Sequence, residues 1–128
     1  MKPLRNLGFT PAEAYALCTK GEAILVDLRA PYETNFRMFD VPAVIPLERN
    51  AFPERFSGLP KDKLLILVDP VGITSKQQAQ FLRDLGFQAG FVIGGVLEWV
   101  KDGLPMIMDP DYELRGQCAC RLSAKKKS

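Results

Sequence analysis

Histidine is absent from this 128-residue chain, and cysteine occurs only three times. Without histidine, the chain has none of the Ser-His and Cys-His pairs that activate a nucleophile, and it lacks the imidazole that often binds zinc. Three is an odd number of cysteines, so they cannot form a complete set of disulfide bonds, and their number does not indicate an oxidising compartment. We predict no metal site, and the sequence indicates no cofactor.

Long apolar segments are also missing. No stretch approaches the roughly 18 consecutive apolar residues that span a membrane. The N-terminal sequence MKPLRNLGF lacks the apolar core of a secretory signal. With 47% hydrophobic and 25% charged residues, the composition is that of an ordinary globular protein. We therefore expect a cytoplasmic protein without a membrane partner.

The net charge of +2 conceals a basic C-terminus. The final eight residues, RLSAKKKS, hold four basic residues and no acid, whereas the first 120 residues carry 13 basic and 15 acidic ones. Lysines at a chain end are usually solvated, and here no aromatic residues alternate with them as they do in proteins that bind single-stranded nucleic acids. The sequence thus gives no strong signal for nucleic acid, and any protein partner stays unidentified.

The most informative segment is LLILVDPVGITSKQQAQFLRDL, from Leu64 to Leu85. Leu64 to Val68 have the length and composition of a strand buried on both faces. Asp69 follows, where this strand leaves the sheet. After a short loop, the apolar spacing predicts a helix that ends at Gly86.

The start of this helix has two candidate capping residues. Thr74 with Gln77, and Ser75 with Gln78, both have the capping-box spacing, so we expect one of the two hydroxyls to cap the helix. Because loop amides and the helix dipole converge at such a place, a strand, a tight loop and a helix N-terminus together predict an anion-binding loop. Its residues are Asp69, Val71, Gly72, Ile73, Thr74 and Ser75.

Elsewhere, predicted strands alternate with predicted helices. Thr10-Pro11-Ala12-Glu13 has the sequence of a capped helix start, and this helix is expected to stop at Gly21. Further strands are predicted at residues 23–28, 43–45 and 89–93, and a helix at residues 96–100. This alternation predicts an α/β fold with a parallel sheet.

Three smaller features yield specific predictions. Asp27 and Arg29, at the end of one strand, are expected to form an internal salt bridge. Gly94-Gly95, at the end of another, indicates close approach to a neighbouring loop. Cys18 is expected to be a small buried hydrophobic residue.

Four motifs follow one another between Thr10 and Pro105. They are VDLR at 26–29, DVPAVIPL at 40–47, LLILVDPVGITS at 64–75 and GGVLEWVKDGLP at 94–105. In this order they resemble a single rhodanese-like domain, and the last motif is the most specific. The resemblance implies an α/β fold with a central, mostly parallel five-stranded sheet flanked by helices. We expect this domain to cover residues 1–108, and residues 109–128 to form a C-terminal extension with a Cys-x-Cys motif and a basic tail.

The resemblance also implies a catalytic loop. In active members, a cysteine begins the loop after the central strand, takes sulfur from a donor as a persulfide and passes it on. When the family's loop is aligned with this chain, Asp69 takes the position of the cysteine and Thr74 that of a basic residue. In a separate segment, Asp40 stands where the family usually has a histidine. Sulfur transfer needs a polarizable thiolate, which a carboxylate cannot replace. We therefore predict that this loop is without sulfurtransferase activity.

Two interpretations of Asp69 stay open. Its carboxylate either acts as a built-in anion that accepts the loop amides, or it is a tolerated polar residue at a site without catalytic demand. A third role, as a phosphoacceptor, is disfavoured because Asp27 stands alone where such sites need an acidic pair, and no lysine follows the later strand.

Two functions also stay open. The first is a non-catalytic binding or regulatory module. The alternative is a sulfurtransferase or sulfur carrier that uses Cys118 and Cys120, whose thiolates Arg115 and Arg121 would favour. Two thiolates leave a tetrahedral metal site half filled, which makes metal binding by this pair the weakest option.

Overall fold

The structure, a computed structural model, describes residues 7–31, 34 and 37–108. Its strands are β1 (Gly8–Phe9), β2 (Ala23–Asp27), β3 (Arg37–Phe39), β4 (Val44–Pro46), β5 (Leu64–Val68), β6 (Gln88–Val92) and β7 (Met106–Met108). Its helices are α1 (Pro11–Thr19), α2 (Phe52–Arg55), α3 (Thr74–Asp84) and α4 (Gly95–Lys101), with a 3₁₀ turn at Phe56–Gly58. Residues 109–128, the predicted extension with its two cysteines, lie outside the described residues.

The main sheet has five parallel strands in the order β1-β6-β5-β2-β4. This confirms the predicted α/β fold with its central five-stranded sheet flanked by helices. A separate antiparallel pair, β3 with β7, places Arg37 opposite Met108 and Phe39 opposite Met106. The sequence did not predict this pair, because three-residue strands carry too few residues for a period-2 pattern to be recognised.

The central strand β5 is buried on both faces, as its unbroken apolar run predicted. Leu65 and Leu67 pack on one face in a core that includes Leu82 of α3. Ile66 and Val68 pack on the other face in a core that includes Cys18 of α1 and Trp99 of α4. Since successive side chains of a strand point to opposite faces, α3 and α4 cover opposite sides of the sheet. The prediction of a buried Cys18 is also confirmed.

Helix α1 begins with the predicted capping box. Thr10 Oγ1 accepts the Glu13 N–H at 3.1 Å, and Glu13 Oε1 accepts the Thr10 N–H at 3.0 Å. These two bonds satisfy two groups that a helix start otherwise leaves unpaired. The helix ends at Thr19, and Gly21 follows in a left-handed conformation (φ +77°), in agreement with the predicted stop.

The predicted hydroxyl cap of α3 is wrong. The helix begins at Thr74, its N-cap position is Ile73, and no side chain caps it from that position. The Ser75 hydroxyl is buried and bonds to Asp69 instead, so the acceptor at this helix start is a carboxylate from the preceding loop. The far end agrees with the prediction, since the helix stops at Asp84 and Gly86 takes a left-handed conformation (φ +94°).

The predicted salt bridge between Asp27 and Arg29 is present and buried. Arg29 Nη2 lies 2.9 Å from Asp27 Oδ2, and Nε lies 3.0 Å from Oδ1, so the contact is bidentate. The same Nη2 donates to the Arg37 carbonyl at 2.7 Å, which ties the end of β2 to β3. The guanidinium also lies 4.9 Å from the centre of the Phe39 ring. This ion pair therefore has a structural role.

No helix in the described part of the chain is long and apolar enough to cross a membrane.

Candidate functional site

The candidate site lies where the central strand β5 emerges from the sheet. Asp69 directly follows Val68, and its side chain is only 2% exposed although it is acidic. Pro70 to Ile73 form the loop that leads into α3. A carboxylate at this depth has to be hydrogen-bonded, because burial without partners would cost several kcal/mol. Its partners come from the loop itself and from the first turn of α3.

Both oxygens of Asp69 accept hydrogen bonds. Oδ1 accepts the Gly72 N–H at 2.6 Å and the Ser75 hydroxyl at 2.8 Å. Oδ2 accepts the Thr74 N–H at 3.0 Å. The carboxylate also sits at the N-terminal end of α3, where the helix dipole favours negative charge. Three predicted loop residues, Gly72, Thr74 and Ser75, thus converge on the fourth, Asp69.

The backbone of this loop is held against the start of α4. The Asp69 carbonyl accepts the Val96 N–H at 2.9 Å, and the Pro70 carbonyl accepts the Leu97 N–H at 3.1 Å. Gly95 has φ +63°, and a Cβ atom there would lie 2.8 Å from Gly72 N and collide with the Asp69 carbonyl. The close approach predicted from Gly94-Gly95 is therefore confirmed. Only glycine allows the two loops to pack at this distance.

The outer side of the loop is apolar. Val71 and Ile73, the remaining predicted loop residues, are 51% and 64% exposed. Ile93, at the end of β6, and Leu97, on α4, are 47% and 65% exposed beside them. We call these four residues the loop patch. Ile93 and Leu97 were missed in the sequence, although both lie within two residues of the Gly94-Gly95 pair that was singled out.

A surface groove of about 870 Å³ borders this patch between α3 and the edge of the sheet. Its walls are formed by Leu7, Gly72, Ile73, Lys76, Gln77, Gln80, Phe91, Ile93 and Gly94. Lys76 is the only charged residue among them. The groove is therefore apolar, with one cation and two amides along the α3 side.

The other candidate residues do not join the loop. Asp40 is exposed, and its backbone N–H bonds to the Pro105 carbonyl at 3.3 Å. Burial of Cys18 raises the pKa of its thiol from 9.0 to about 11, so it is a neutral core residue and not a nucleophile. Cys118 and Cys120 lie outside the described residues. No group of three or more Cys, Asp or Glu residues that could hold a metal ion occurs within the described ranges.

Comparisons with known proteins give one consistent family. Residues 10–102 match the model of the rhodanese-like domain. A sulfurtransferase from Allochromatium vinosum is 32% identical over 89 residues, which cover 67% of this chain and 79% of that protein. The putative sulfurtransferase YtwF from Bacillus subtilis is 27% identical over 84 residues, which cover 66% of this chain and 80% of that protein.

Two solved structures share the fold. A rhodanese-related protein from Thermoplasma volcanium aligns with a TM-score of 0.69 at 24% identity, over 80% of this chain and 98% of the other. A polysulfide-sulfur transferase from Wolinella succinogenes aligns with a TM-score of 0.68 at 22% identity, over 80% of this chain and 78% of the other. At these identities the likeness concerns the arrangement of strands and helices.

Proposed function

Because this chain belongs to the rhodanese-like domain family, we propose that Asp69 occupies the position of the family's catalytic cysteine and that the domain is a binding or regulatory module without sulfurtransferase activity at this loop. One observation carries the proposal: the side chain at the head of the loop is a buried carboxylate that accepts three hydrogen bonds from the loop and α3.

Sulfur transfer cannot proceed on this side chain. In transfer from thiosulfate, a thiolate attacks the outer sulfur, a new S–S bond forms, and sulfite leaves with the electron pair of the old bond. A carboxylate oxygen is not the polarizable nucleophile that this step needs. Both oxygens of Asp69 already accept hydrogen bonds, and the side chain is 2% exposed. Its negative charge also repels an anionic donor.

The hydrogen bonds favour the built-in anion over the tolerated polar residue. The donors converge on both oxygens, because Gly72 and Ser75 meet one oxygen and Thr74 meets the other. These are donors that an anion-binding loop would otherwise direct at its ligand. Asp69 therefore acts as a fixed internal substitute for a bound oxyanion.

Anion binding tests this role directly. Thermal unfolding is followed with increasing sulfate or thiosulfate for the wild type, for Asp69→Asn and for the control Asp84→Asn, which removes an exposed carboxylate bonded to Gln80 at 3.0 Å. We expect the anions to stabilise Asp69→Asn more than the wild type and Asp84→Asn, in which only the general effect of these salts remains. Equal stabilisation of the wild type would contradict the built-in anion.

A second candidate function is a sulfurtransferase or sulfur carrier with Cys118 and Cys120 as its thiols. It is favoured by the relatives, which include one protein named a sulfurtransferase and one named a putative sulfurtransferase. A thiosulfate:cyanide assay separates the two functions when the wild type is compared with Cys118→Ser/Cys120→Ser. We expect no activity in either protein. Activity in the wild type that disappears in the double variant would favour the thiol function instead.

A further inference from the structure

The loop patch is a concentration of exposed apolar side chains. Nine large hydrophobic side chains are exposed in the described part of the chain, and four of them are Val71, Ile73, Ile93 and Leu97. A fifth, Val100, lies one turn beyond Leu97 on α4 and is 40% exposed. Monomeric proteins rarely expose large contiguous apolar patches, and such patches mark interaction sites.

The patch is contiguous and its backbone is well supported. Ile73 and Ile93 line the same groove. The Leu97 N–H bonds to the carbonyl of Pro70, the residue before Val71. The backbone that carries these four side chains is therefore held in place, which reduces the entropy lost when a protein docks on them.

Opposite charges flank the patch on opposite sides. Lys76 lies on the first turn of α3 and Glu98 on the first turn of α4. These helices cover opposite faces of the sheet, as their core contacts through Leu82 and Trp99 show. Neither Lys76 nor Glu98 forms an ion pair with another residue that the structure describes. The charge of Asp69, next to the patch, is buried and accepts three hydrogen bonds.

We propose that the loop patch joins two copies of this chain about a two-fold axis. A two-fold interface needs a surface that is complementary to itself. A two-fold axis that lies in the plane of the patch, at right angles to the line from Lys76 to Glu98, places apolar side chains against apolar side chains. It also brings Lys76 of each copy towards Glu98 of the other. The inference rests on the proposed function, since it names a second copy as the protein that the binding module contacts.

Sedimentation velocity of the full chain tests the interface. We expect the wild type to be mainly dimeric at a protein concentration of about 100 µM. Leu97→Asp and Ile73→Asp each place a charge in the apolar centre twice per dimer, and each should raise the dissociation constant at least about tenfold. The control is Leu85→Asp, which changes a side chain of similar exposure (44%) at the other end of α3 and should leave the dimer intact.

A charge exchange tests the orientation of the two copies. Lys76→Glu and Glu98→Lys each put like charges together in two places, and each should weaken the dimer about fivefold. The double variant restores opposite charges and should return to the wild-type dissociation constant. Thermal unfolding verifies that every variant is folded.

A monomeric wild type, or a dimer that the patch variants do not weaken, would overturn the inference. A double variant weaker than both single variants would also overturn it. The proposed lack of sulfurtransferase activity is decided separately by the thiosulfate:cyanide assay, so the two failures are distinguishable.

Discussion

Replacing Asp69 by asparagine keeps the shape of the side chain and removes its charge. In the wild type, Oδ1 accepts from Gly72 and Ser75, and Oδ2 accepts from the Thr74 N–H. Asparagine has a single side-chain oxygen, which takes the place of Oδ1. Its NH₂ group then takes the place of Oδ2, where one donor faces another, the Thr74 N–H. The Thr74 N–H therefore loses its partner, and the other two bonds become bonds between neutral groups.

The expected loss in the free energy of unfolding follows from these changes. An unpaired buried donor costs about 1–3 kcal/mol, and a charge-assisted bond exceeds a neutral one by about 1 kcal/mol. The lost charge also removes a favourable interaction with the α3 dipole, about 0.3–1 kcal/mol. These losses are partly offset, because the variant avoids the desolvation free energy of burying a charge at a site that is 2% exposed. We expect a net destabilisation of about 2 kcal/mol, or a Tm lower by about 8 °C.

Urea unfolding of the wild type and of Asp69→Asn measures this difference. The matched control is again Asp84→Asn, because the chemical change is the same while the carboxylate is exposed and accepts one bond, from Gln80. The control should stay within about 0.5 kcal/mol of the wild type. If Asp69→Asn and Asp84→Asn have equal stability, the carboxylate does not hold the loop, and the inferred role of Asp69 is refuted.

Three further predictions concern the loop and the core. If Asp69 and Thr74 hold the positions of the family's cysteine and basic residue, as we propose, Asp69→Cys should gain thiosulfate:cyanide activity relative to the wild type. Asp69→Cys/Thr74→Arg should be more active still, because the loop N–H donors are already in place and this variant adds both a nucleophile and a basic side chain. Burial raises the pKa of Cys18 from 9.0 to about 11, so between these pH values the thiol loses its proton more readily in the unfolded chain. The free energy of unfolding should therefore be unaffected by this thiol below pH 9 and should fall from pH 9 towards pH 11. Urea unfolding of Cys18→Ala is the control, because this variant should not show that fall. Gly95→Ala should lower the free energy of unfolding by about 2–4 kcal/mol, because the new Cβ would collide with the loop backbone. Gly103 has a similar φ of +75° but nothing within 4 Å of a new Cβ, so Gly103→Ala should lose only about 1 kcal/mol. Urea unfolding measures both.

The elements that the sequence predicted well are those specified by neighbouring residues. Strand β5 was predicted at Leu64 to Val68, where it occurs, because an unbroken apolar run of five residues matches a strand buried on both faces. The start of α1 was predicted because Thr10 and Glu13 both act within one turn. The antiparallel pair of β3 and β7 was missed because three-residue strands show no recognisable period-2 pattern and because the pairing joins residues that are far apart in the chain.

The sequence predicted which residues form the loop after β5, but not how they contact one another. Thr74 and Ser75 have the spacing of capping residues, yet the folded loop brings a carboxylate to the same helix start. A carboxylate accepts hydrogen bonds more strongly than a hydroxyl does, so the Ser75 hydroxyl becomes a donor to Asp69. Spacing along the sequence identifies residues able to cap a helix, but the choice between acceptors depends on the path of the loop.

The buried carboxylate and the exposed apolar patch are two sides of the same loop. A loop that binds an anion is fully hydrogen-bonded only when its ligand is present, whereas here Asp69 supplies the acceptor at all times. If Asp69 is the built-in anion that we propose, the order of the loop does not depend on a bound small anion. What the loop presents to other molecules is its outer surface, with Val71 and Ile73 more than half exposed. Because folding already orders the backbone of this loop, a protein that docks on its outer surface loses less entropy than it would on a loop ordered only by its ligand.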